Sequence, residues 1–322
     1  MNSNSIAAAG QALQVARKIA VLSHVRPDGD AVGSVLGLGQ ALEDAGKQVA
    51  MVLADGVPEN LIHLPGADEV VRYAEPPWDL LVTVDCSDPR RFGPGVDPAA
   101  VPDINIDHHV TNLGFGRINL VDPGSVATAA ILADLIPEWG MEIRQPAASA
   151  LLTGIITDTL GFRTSNMTAH TFQLASRLME IGAPLSDLYR LALVERSFEA
   201  TRLWGEGLAN IRRRGRTVWT TITLEDRRRS GYFGMDDAEM VSVLTGIRDH
   251  DIFIVFSEQP QGEIKVSWRA SPGIDVSNVA LDFGGGGHPA AAGATIKGDL
   301  DSVQRLVLDA TERLAFVGEV EK

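Results

Sequence analysis

The chain alternates short apolar runs with longer stretches of helical apolar spacing over its first 160 residues, and this alternation constrains the fold more than any other feature. The strand-like runs lie at 18–24, 48–55, 79–85 and 102–107. Helix-like stretches separate them, the first over 31–46. Short strands separated by helices are typical of βαβ units, because parallel neighbours require a crossover connection. The sequence therefore predicts an α/β fold built on a mainly parallel sheet.

The length of 322 residues is enough for two domains, each with its own core. We expect a larger N-terminal domain over 1–185, a linker over 186–208 and a smaller α/β domain over 209–322. In the second domain, two alternating apolar runs at 251–259 and 263–270 predict a β-hairpin.

Acidic and histidine side chains follow three of the predicted strands. One strand leads into the segment His24–Asp30, the next ends at Asp85, and a third ends at Asp107–His109. In open α/β sheets the ligand crevice lies outside the carboxyl ends of the strands, so these segments are expected to converge. Crowded carboxylates repel one another unless a cation neutralises them, so the pattern indicates a metal site.

Two imidazoles and four carboxylates make up the expected ligand set. They are His24, Asp28, Asp30, Asp85, His108 and Asp158. This number suits two ions if one carboxylate bridges them, and Asp85, which stands alone at its strand end, is the natural bridge. Mixed imidazole and carboxylate ligands suit manganese, with zinc and ferrous iron as competitors. We therefore expect two Mn²⁺ ions.

Each of these segments also has a simpler interpretation when it is taken alone. Asp28 and Asp30 belong to a Pro-Asp-Gly-Asp turn and can cap the helix that follows. The pair His108–His109 can lie in a solvated loop, and Asp158 can be a polar residue at the end of a helix. The metal interpretation therefore depends on the joint occurrence of all the segments.

Charge and composition exclude several classes of function. The formal net charge of −14 argues against a protein that binds long nucleic acid by neutralising its phosphates, but it leaves short anionic substrates open. No apolar run reaches the roughly 18 residues that span a bilayer, so no membrane association is expected. The single cysteine, Cys86, and an N-terminus unlike a secretory signal favour a reducing cytoplasm.

Five segments occur in an order that resembles the DHH phosphoesterase superfamily with its DHH-associated C-terminal domain. They read SHVRPDGDAVGS, VDCSDP, IDHH, TDTLGFRTSN and GGGGHPAAAG. Together they span nearly the whole chain. Within the superfamily, the length and two-domain layout resemble the nanoRNases, which are bifunctional oligoribonucleases and 3′-phosphoadenosine 5′-phosphate phosphatases. The resemblance implies an active site in the cleft between the two domains, and it allows a homodimer.

The resemblance also implies roles for the residues of the first domain. One ion would be held by His24, Asp28 and Asp85, and the other by Asp30, Asp85, His108 and Asp158. Asp107 would orient a ligand by hydrogen bonding, and His109 would face the scissile phosphate. The two ions would activate a water for in-line attack on phosphorus, a reaction in which Asp85 and His109 are the catalytic residues.

The resemblance further implies that the second domain binds the terminal phosphate or nucleotide of the substrate. Because Gly285, Gly286 and Gly287 have no side chains, their backbone N–H groups can approach a phosphate, and His288 adds a donor. Arg269 can bind a phosphate through two hydrogen bonds. The simpler alternatives are a flexible hinge for the glycines and a surface position for the arginine.

The ligand set favours a metal-dependent phosphoesterase, and the resemblance implies that it cleaves very short RNA to mononucleotides and dephosphorylates 3′-phosphoadenosine 5′-phosphate. The alternatives within the superfamily are a cyclic or linear dinucleotide phosphodiesterase, a RecJ-like single-strand exonuclease and a pyrophosphate or polyphosphate hydrolase. A metal-containing nucleotide sensor without turnover is the non-enzyme alternative. The complete set of six ligands argues against the sensor, because a protein that only binds a nucleotide does not need all of them.

Overall fold

A computed structural model of the chain describes residues 2–97 and 99–317, apart from the side chains of His288 and of residues 315–317. The chain divides into two units, Met1–Glu195 and Arg196–Lys322. The division falls inside the segment 186–208, which the structure shows to be largely helical.

A parallel sheet of five strands forms the centre of the first unit, as the alternation of the sequence predicts. The strands are β1 (Lys18–Leu22), β2 (Gln48–Val52), β3 (Leu80–Val84), β4 (Ile104–Asp107) and β5 (Ile118–Val121). Their spatial order is β2-β1-β3-β4-β5. Every neighbouring pair is parallel, so all five carboxyl ends lie along the same edge.

Six α-helices complete the first unit. They are α1 (Ser3–Val15), α2 (Gly29–Asp44), α3 (Thr128–Glu138), α4 (Gln145–Asp158), α5 (Ala169–Ile181) and α6 (Leu185–Tyr189). A short π-helical turn, Arg190–Val194, follows α6. The inner faces of these helices share one apolar core with one face of the sheet. A second apolar cluster, which includes Ala20, Leu22 and Leu81, lies on the other face, and burial of both faces accounts for the nearly continuous apolar character of the strands.

Helices α2 and α4 cross with their backbones in contact. A side chain at Gly33 of α2 would meet the carbonyl oxygen of Ala150 at 2.4 Å and the backbone nitrogen of Gly154 at 2.9 Å. A side chain at Gly154 would meet Oδ1 of Asp30 at 2.8 Å. Glycine is therefore required on both helices at this crossing, which brings the start of α2 close to the end of α4.

The second unit contains a mixed sheet of six strands with five helices. The strands are β6 (Arg212–Arg214), β7 (Thr217–Ile222), β8 (Ile252–Gln259), β9 (Glu263–Ala270), β10 (Gly286–His288) and β11 (Ala291–Lys297). The helices are α7 (Phe198–Ala209), α8 (Leu224–Ser230), α9 (Met240–Leu244), α10 (Ser277–Asp282) and α11 (Leu300–Val317). The sheet order is β10-β11-β9-β8-β7-β6, and only β7 and β8 are parallel.

The predicted hairpin is confirmed as the antiparallel pair β8 and β9. Strand β11 was not predicted, because its Ala- and Gly-rich sequence has little strand propensity. Pairing with β9 over seven residues holds it in the sheet. Within the described ranges, no helix combines the length and apolar character that crossing a bilayer requires.

Candidate metal centre

The carboxyl ends of β1, β3 and β4 carry the candidate ligands of the first unit. His24 follows β1, Asp85 follows β3, and His108 follows β4. Two helices approach the same edge, because α2 begins beside Asp28 and α4 ends at Asp158. Parallel strand ends and helix termini thereby bring together side chains that lie up to 134 residues apart in the sequence.

His24, Asp28 and Asp85 form the first donor group. Their candidate ligand atoms lie within 4.8 Å of one another. Nε2 of His24 is 4.0 Å from Oδ2 of Asp28 and 3.8 Å from Oδ2 of Asp85. On the other side of the imidazole, Nδ1 lies 2.9 Å from the carbonyl oxygen of Val25. A proton on Nδ1 donates to that carbonyl and leaves the lone pair on Nε2, where a metal ligand needs it.

Asp28 combines two functions that the sequence presented as alternatives. Its Oδ1 accepts hydrogen bonds from the backbone N–H groups of Asp30 and Ala31 and so caps α2. Its Oδ2 faces His24. One carboxylate therefore fixes the start of the helix and still offers an oxygen to the site.

Asp30, His108 and Asp158 form the second donor group, again with ligand atoms within 4.8 Å of one another. Nε2 of His108 is 3.4 Å from Oδ2 of Asp158 and 3.9 Å from Oδ2 of Asp30. Asp30 is buried, and its carboxylate accepts hydrogen bonds from the backbone N–H groups of Thr128 at 2.6 Å and Ala129 at 2.9 Å. It therefore satisfies the first amides of α3, whose N-cap residue is an alanine without a capping oxygen.

Asp85 lies between the two donor groups. One carboxylate oxygen, Oδ2, faces His24, and the other, Oδ1, is 3.7 Å from Nε2 of His108. The residue has a φ of 53°, in the left-handed region that aspartate and asparagine tolerate better than most residues. Its backbone N–H donates to the carbonyl oxygen of Ile106, which anchors this turn to β4.

The buried carboxylates influence one another strongly. Burial, together with repulsion from Asp85 and Asp158, raises the pKa of Asp30 well above its usual range. Burial and repulsion from Asp85 and Asp28 likewise raise the pKa of Asp158. For Asp85, burial alone would raise the pKa, but the neighbouring imidazoles hold it well below its usual range. Asp85 is thus readily ionised, whereas Asp30 and Asp158 would be stabilised in their charged forms by a bound cation.

Asp107 organises the loop that follows β4. Its Oδ1 accepts the backbone N–H groups of His108 and His109 and also Nδ1–H of His109, the last at 2.6 Å. Its Oδ2 accepts Nδ2–H of Asn112. The side chain is fully buried and directs both of its oxygens to these donors. Asp107 therefore positions its neighbours and lies in neither of the donor groups just described.

His109 differs from His108 in its hydrogen bonding. The candidate ligand atoms of Asp85, His108 and His109 also lie within 4.8 Å of one another. However, Nδ1 of His109, which is 3.6 Å from Oδ1 of Asp85, donates a hydrogen bond to Asp107. Burial alone would lower the pKa of His109, but Asp107 and Asp85 raise it to about 9. In the protein without metal these carboxylates therefore favour the imidazolium form of His109, which suits contact with a phosphate better than metal ligation.

The donor atoms fit a divalent cation. Each donor group combines imidazole nitrogen with carboxylate oxygen, the mixture expected for manganese, zinc or ferrous iron. The imidazole His108 is oriented through Nδ1, which lies 3.4 Å from the carbonyl oxygen of Ser125. Both ligand histidines thus direct Nε2 toward carboxylates and Nδ1 toward a backbone carbonyl, as metal-binding histidines do.

The sequence analysis did not identify Thr128 as part of this region. Its Oγ1 donates to Oδ1 of Asp85 at 2.9 Å, and its backbone N–H donates to Asp30. Thr128 therefore connects carboxylates of both donor groups. No sequence signal distinguishes it, because it is one polar residue at the start of an apolar helix and lies 43 residues from Asp85.

The candidate phosphate-binding residues of the second unit lie on adjacent strands. Arg269 of β9 pairs with Ala291 of β11, which in turn pairs with His288 of β10, so the three form one row across the sheet. The side chain of His288 lies outside the described part of the structure. The Arg269 guanidinium donates to the carbonyl oxygen of Trp268 at 3.0 Å, and burial lowers the pKa of Arg269.

The three candidate glycines meet different surroundings. A side chain on Gly285 would lie 2.1 Å from the carbonyl oxygen of Gly293, and one on Gly287 would lie 2.4 Å from that of Ala291. Both are therefore required for the packing of β10 against β11. A side chain on Gly286 would meet no atom of the described structure within 4 Å. Of the three, only Gly286 has open space beside it.

The chain matches two described domains. Residues 18–155 match the DHH family, N-terminal domain, and residues 232–315 match the DHHA1 domain. The first match contains His24, Asp85 and His108, and the second contains Arg269.

Similar proteins are known for nearly the full length of the chain. The bifunctional oligoribonuclease and PAP phosphatase NrnA of Thermus thermophilus is 38% identical over 305 residues, 93% of this chain and 91% of the relative. The crystal structure of an exopolyphosphatase-related protein from Bacteroides fragilis superposes with a TM-score of 0.92 at 27% identity, covering 97% of this chain and 96% of that one. RecJ from Thermus thermophilus, solved with Mn²⁺, has a TM-score of 0.53 at 14% identity. The superposition covers 96% of this chain and 54% of the RecJ chain. Because the identity is only 14%, this similarity concerns the fold alone.

Proposed function

This chain belongs to the DHH family, and we propose that it is a metal-dependent phosphoesterase with two related activities. It hydrolyses short oligoribonucleotides to mononucleotides, and it removes the 3′-phosphate of 3′-phosphoadenosine 5′-phosphate, abbreviated pAp below. The observation that carries this proposal is the 38% identity to an oligoribonuclease and PAP phosphatase over 91% of that relative. The two donor groups joined by Asp85 supply the chemistry that both reactions need.

Two Mn²⁺ ions would be held by the residues of these groups. His24, Asp28 and Asp85 would take one ion, and Asp30, Asp85, His108 and Asp158 the other. When bound, such ions make a water nucleophilic near neutral pH and neutralise the charge of the phosphoryl group. The support for two ions is the position of Asp85, whose two oxygens face different groups.

The remaining residues of the first unit hold this arrangement in place and add a positive charge. Thr128 fixes Oδ1 of Asp85, and Asp107 fixes the loop that carries His108. In its protonated form His109 would donate to a phosphoryl oxygen of the substrate, where negative charge grows during hydrolysis. Its orientation is set by the hydrogen bond to Asp107.

Binding of the rest of the substrate falls to the second unit in this proposal. Arg269 and the strand Gly286–His288 would hold the terminal phosphate or nucleotide. The half-buried guanidinium of Arg269 and the open space beside Gly286 support this assignment. The net charge of −14 disfavours long RNA, whose many phosphates would be repelled by the rest of the protein.

Hydrolysis of a defined panel of substrates tests the proposal. With Mn²⁺ present, we expect fast turnover of pAp and of RNA with 2 to 5 residues, and slow cleavage of a roughly 24-residue RNA. Asp85→Asn is the inactive control. Preference for long single-stranded DNA would support a RecJ-like exonuclease instead, and preference for intact cyclic dinucleotides would support a dinucleotide phosphodiesterase. Binding without turnover would support a nucleotide sensor.

Two further expectations belong to this proposal. We expect a cytoplasmic enzyme, in keeping with its one cysteine, Cys86, which is buried and unpaired. We also expect a homodimer, which light scattering of the purified protein would test. A molar mass of one chain, 34.4 kDa, would contradict it.

A further inference from the structure

Arg91 lies against a candidate metal ligand, although no motif in the sequence assigns it a function. It belongs to the 3₁₀ segment Pro89–Gly95, a few residues after Asp85. Its Nη2 is 3.0 Å from Nδ1 of His24, and its side chain is half-buried. The backbone holds it there, because its carbonyl oxygen accepts the N–H of Val25 at 2.7 Å.

His24 cannot satisfy this guanidinium and also bind a metal. Arginine only donates hydrogen bonds, and a backbone carbonyl only accepts them. Nδ1 of His24 faces both, with Nη2 of Arg91 at 3.0 Å and the carbonyl of Val25 at 2.9 Å. When Nε2 coordinates a metal, the imidazole proton lies on Nδ1 and is donated to Val25. Arg91 then faces an N–H group and has lost its acceptor.

No carboxylate replaces that acceptor. Among the residues that the structure describes, none forms an ion pair with Arg91. The nearby carboxylate of Asp88 is occupied by Arg90, whose Nε lies 3.0 Å from Oδ1 and 2.9 Å from Oδ2. The half-buried guanidinium of Arg91 therefore keeps donor groups that an anion from outside the protein can satisfy.

We propose that Arg91 binds a phosphate group of the substrate beside the first donor group, and that metal binding by His24 makes it available to do so. This inference rests on the proposed function, since it takes the anion to be a phosphate of a short nucleotide. The planar guanidinium matches two phosphate oxygens at once, which an ammonium group cannot do. Arg91 is thus a substrate-binding residue that receives phosphate only after the ion is in place.

Calorimetry with inorganic phosphate and Mn²⁺ tests this inference without relying on turnover. In the Mn²⁺-loaded protein, Arg91→Gln is expected to weaken phosphate binding about 10- to 100-fold, the usual effect of losing a charged hydrogen-bond donor. Its affinity for Mn²⁺ itself is expected to stay within about threefold of the unaltered protein. Arg91→Lys is expected to recover only part of the loss. Arg117→Gln, which removes an exposed arginine paired with Asp103, is the matched control and leaves both affinities unchanged.

Kinetics with pAp provide a second readout. For Arg91→Gln we expect KM to rise about 10- to 100-fold, with a much smaller change in kcat. Equal phosphate affinity in the unaltered protein and in Arg91→Gln would overturn the assignment. A loss of Mn²⁺ affinity as large as the loss of phosphate affinity would also overturn it, since Arg91 would then only support His24. A protein that binds phosphate through Arg91 but hydrolyses neither pAp nor short RNA would contradict the proposed function alone.

Discussion

The hydroxyl of Thr128 donates a hydrogen bond of 2.9 Å to Oδ1 of Asp85 and so connects the first turn of α3 to the end of β3. The backbone N–H of the same residue holds Asp30. Thr128 thereby holds Asp85 and Asp30, which belong to different donor groups. The strength of metal binding is expected to depend on it.

Thr128→Val is expected to lower Mn²⁺ affinity about 10-fold, because valine keeps the shape of the side chain but cannot donate to Asp85. The backbone hydrogen bond to Asp30 is retained, so the fold should be unchanged. Titration calorimetry measures the effect. Thr153→Val is the control, since the buried Thr153 hydroxyl donates only to the carbonyl oxygen of Ser149 within α4. Equal losses of affinity in both variants would contradict the role of Thr128.

Asp85→Asn is expected to reduce hydrolysis of pAp and of short RNA about 1000-fold or more, because it removes the carboxylate shared by both groups. Asparagine is preferred to alanine here, since it tolerates the φ of 53° at this position. Circular dichroism should show a folded protein. An active Asp85→Asn variant would refute the proposal that this carboxylate bridges two ions.

Asp107→Asn is expected to lower the pKa of His109 from about 9 toward the ordinary value of 6.5, because the hydrogen-bonded charge is lost. In the protein prepared without metal, the stability that this imidazolium contributes is complete below about pH 6.5 and disappears as pH rises through about 9. In Asp107→Asn, the free energy of unfolding should lose most of this dependence on pH. NMR titration of the His109 ring protons measures the change, and an unaltered titration would contradict it.

Gly287→Ala and Gly286→Ala separate folding from binding in the second unit. At position 287 the added carbon would lie 2.4 Å from a carbonyl oxygen, and we expect a loss of about 1–3 kcal/mol in the free energy of unfolding. At position 286 the carbon meets no atom within 4 Å among the residues that the structure describes, so thermal unfolding should change little. Instead we expect a higher KM for pAp. A Gly286→Ala variant with unchanged KM would remove this glycine from the substrate site.

Sequence alone was sufficient for the parts of the site that depend on strand ends. His24, Asp85 and His108 lie within two residues of the ends of parallel strands, and the geometry of such sheets makes their proximity predictable. Thr128 and Arg91 were not predictable in this way. Their roles depend on contacts across 43 and 67 residues of sequence, and neither residue belongs to a pattern with a period.

The same limit applies to the fold. Runs of β-branched and long aliphatic residues predicted the first four strands of the first sheet, because such residues favour buried parallel strands. The short strand β5, with the sequence INLV, was not predicted. Strand β11 has the sequence AAGATIK, which carries almost none of that signal. It becomes a strand because β9 and β10 pair with it on both sides, and its small residues allow Gly285 and Gly287 to approach. Local preference was overridden by tertiary pairing.

The glycine crossing of α2 and α4 determines how the site responds to mutation elsewhere. At Gly33 and Gly154 backbone meets backbone, so the separation of these helices is a hard-sphere distance that no rotamer change can adjust. Asp30 and Asp158 belong to these same helices, so their spacing follows from that distance. Substitutions in the outer core should therefore lower stability well before they alter the spacing of the ligands. Substitutions elsewhere in the domain should therefore leave the geometry of the candidate metal site nearly unchanged.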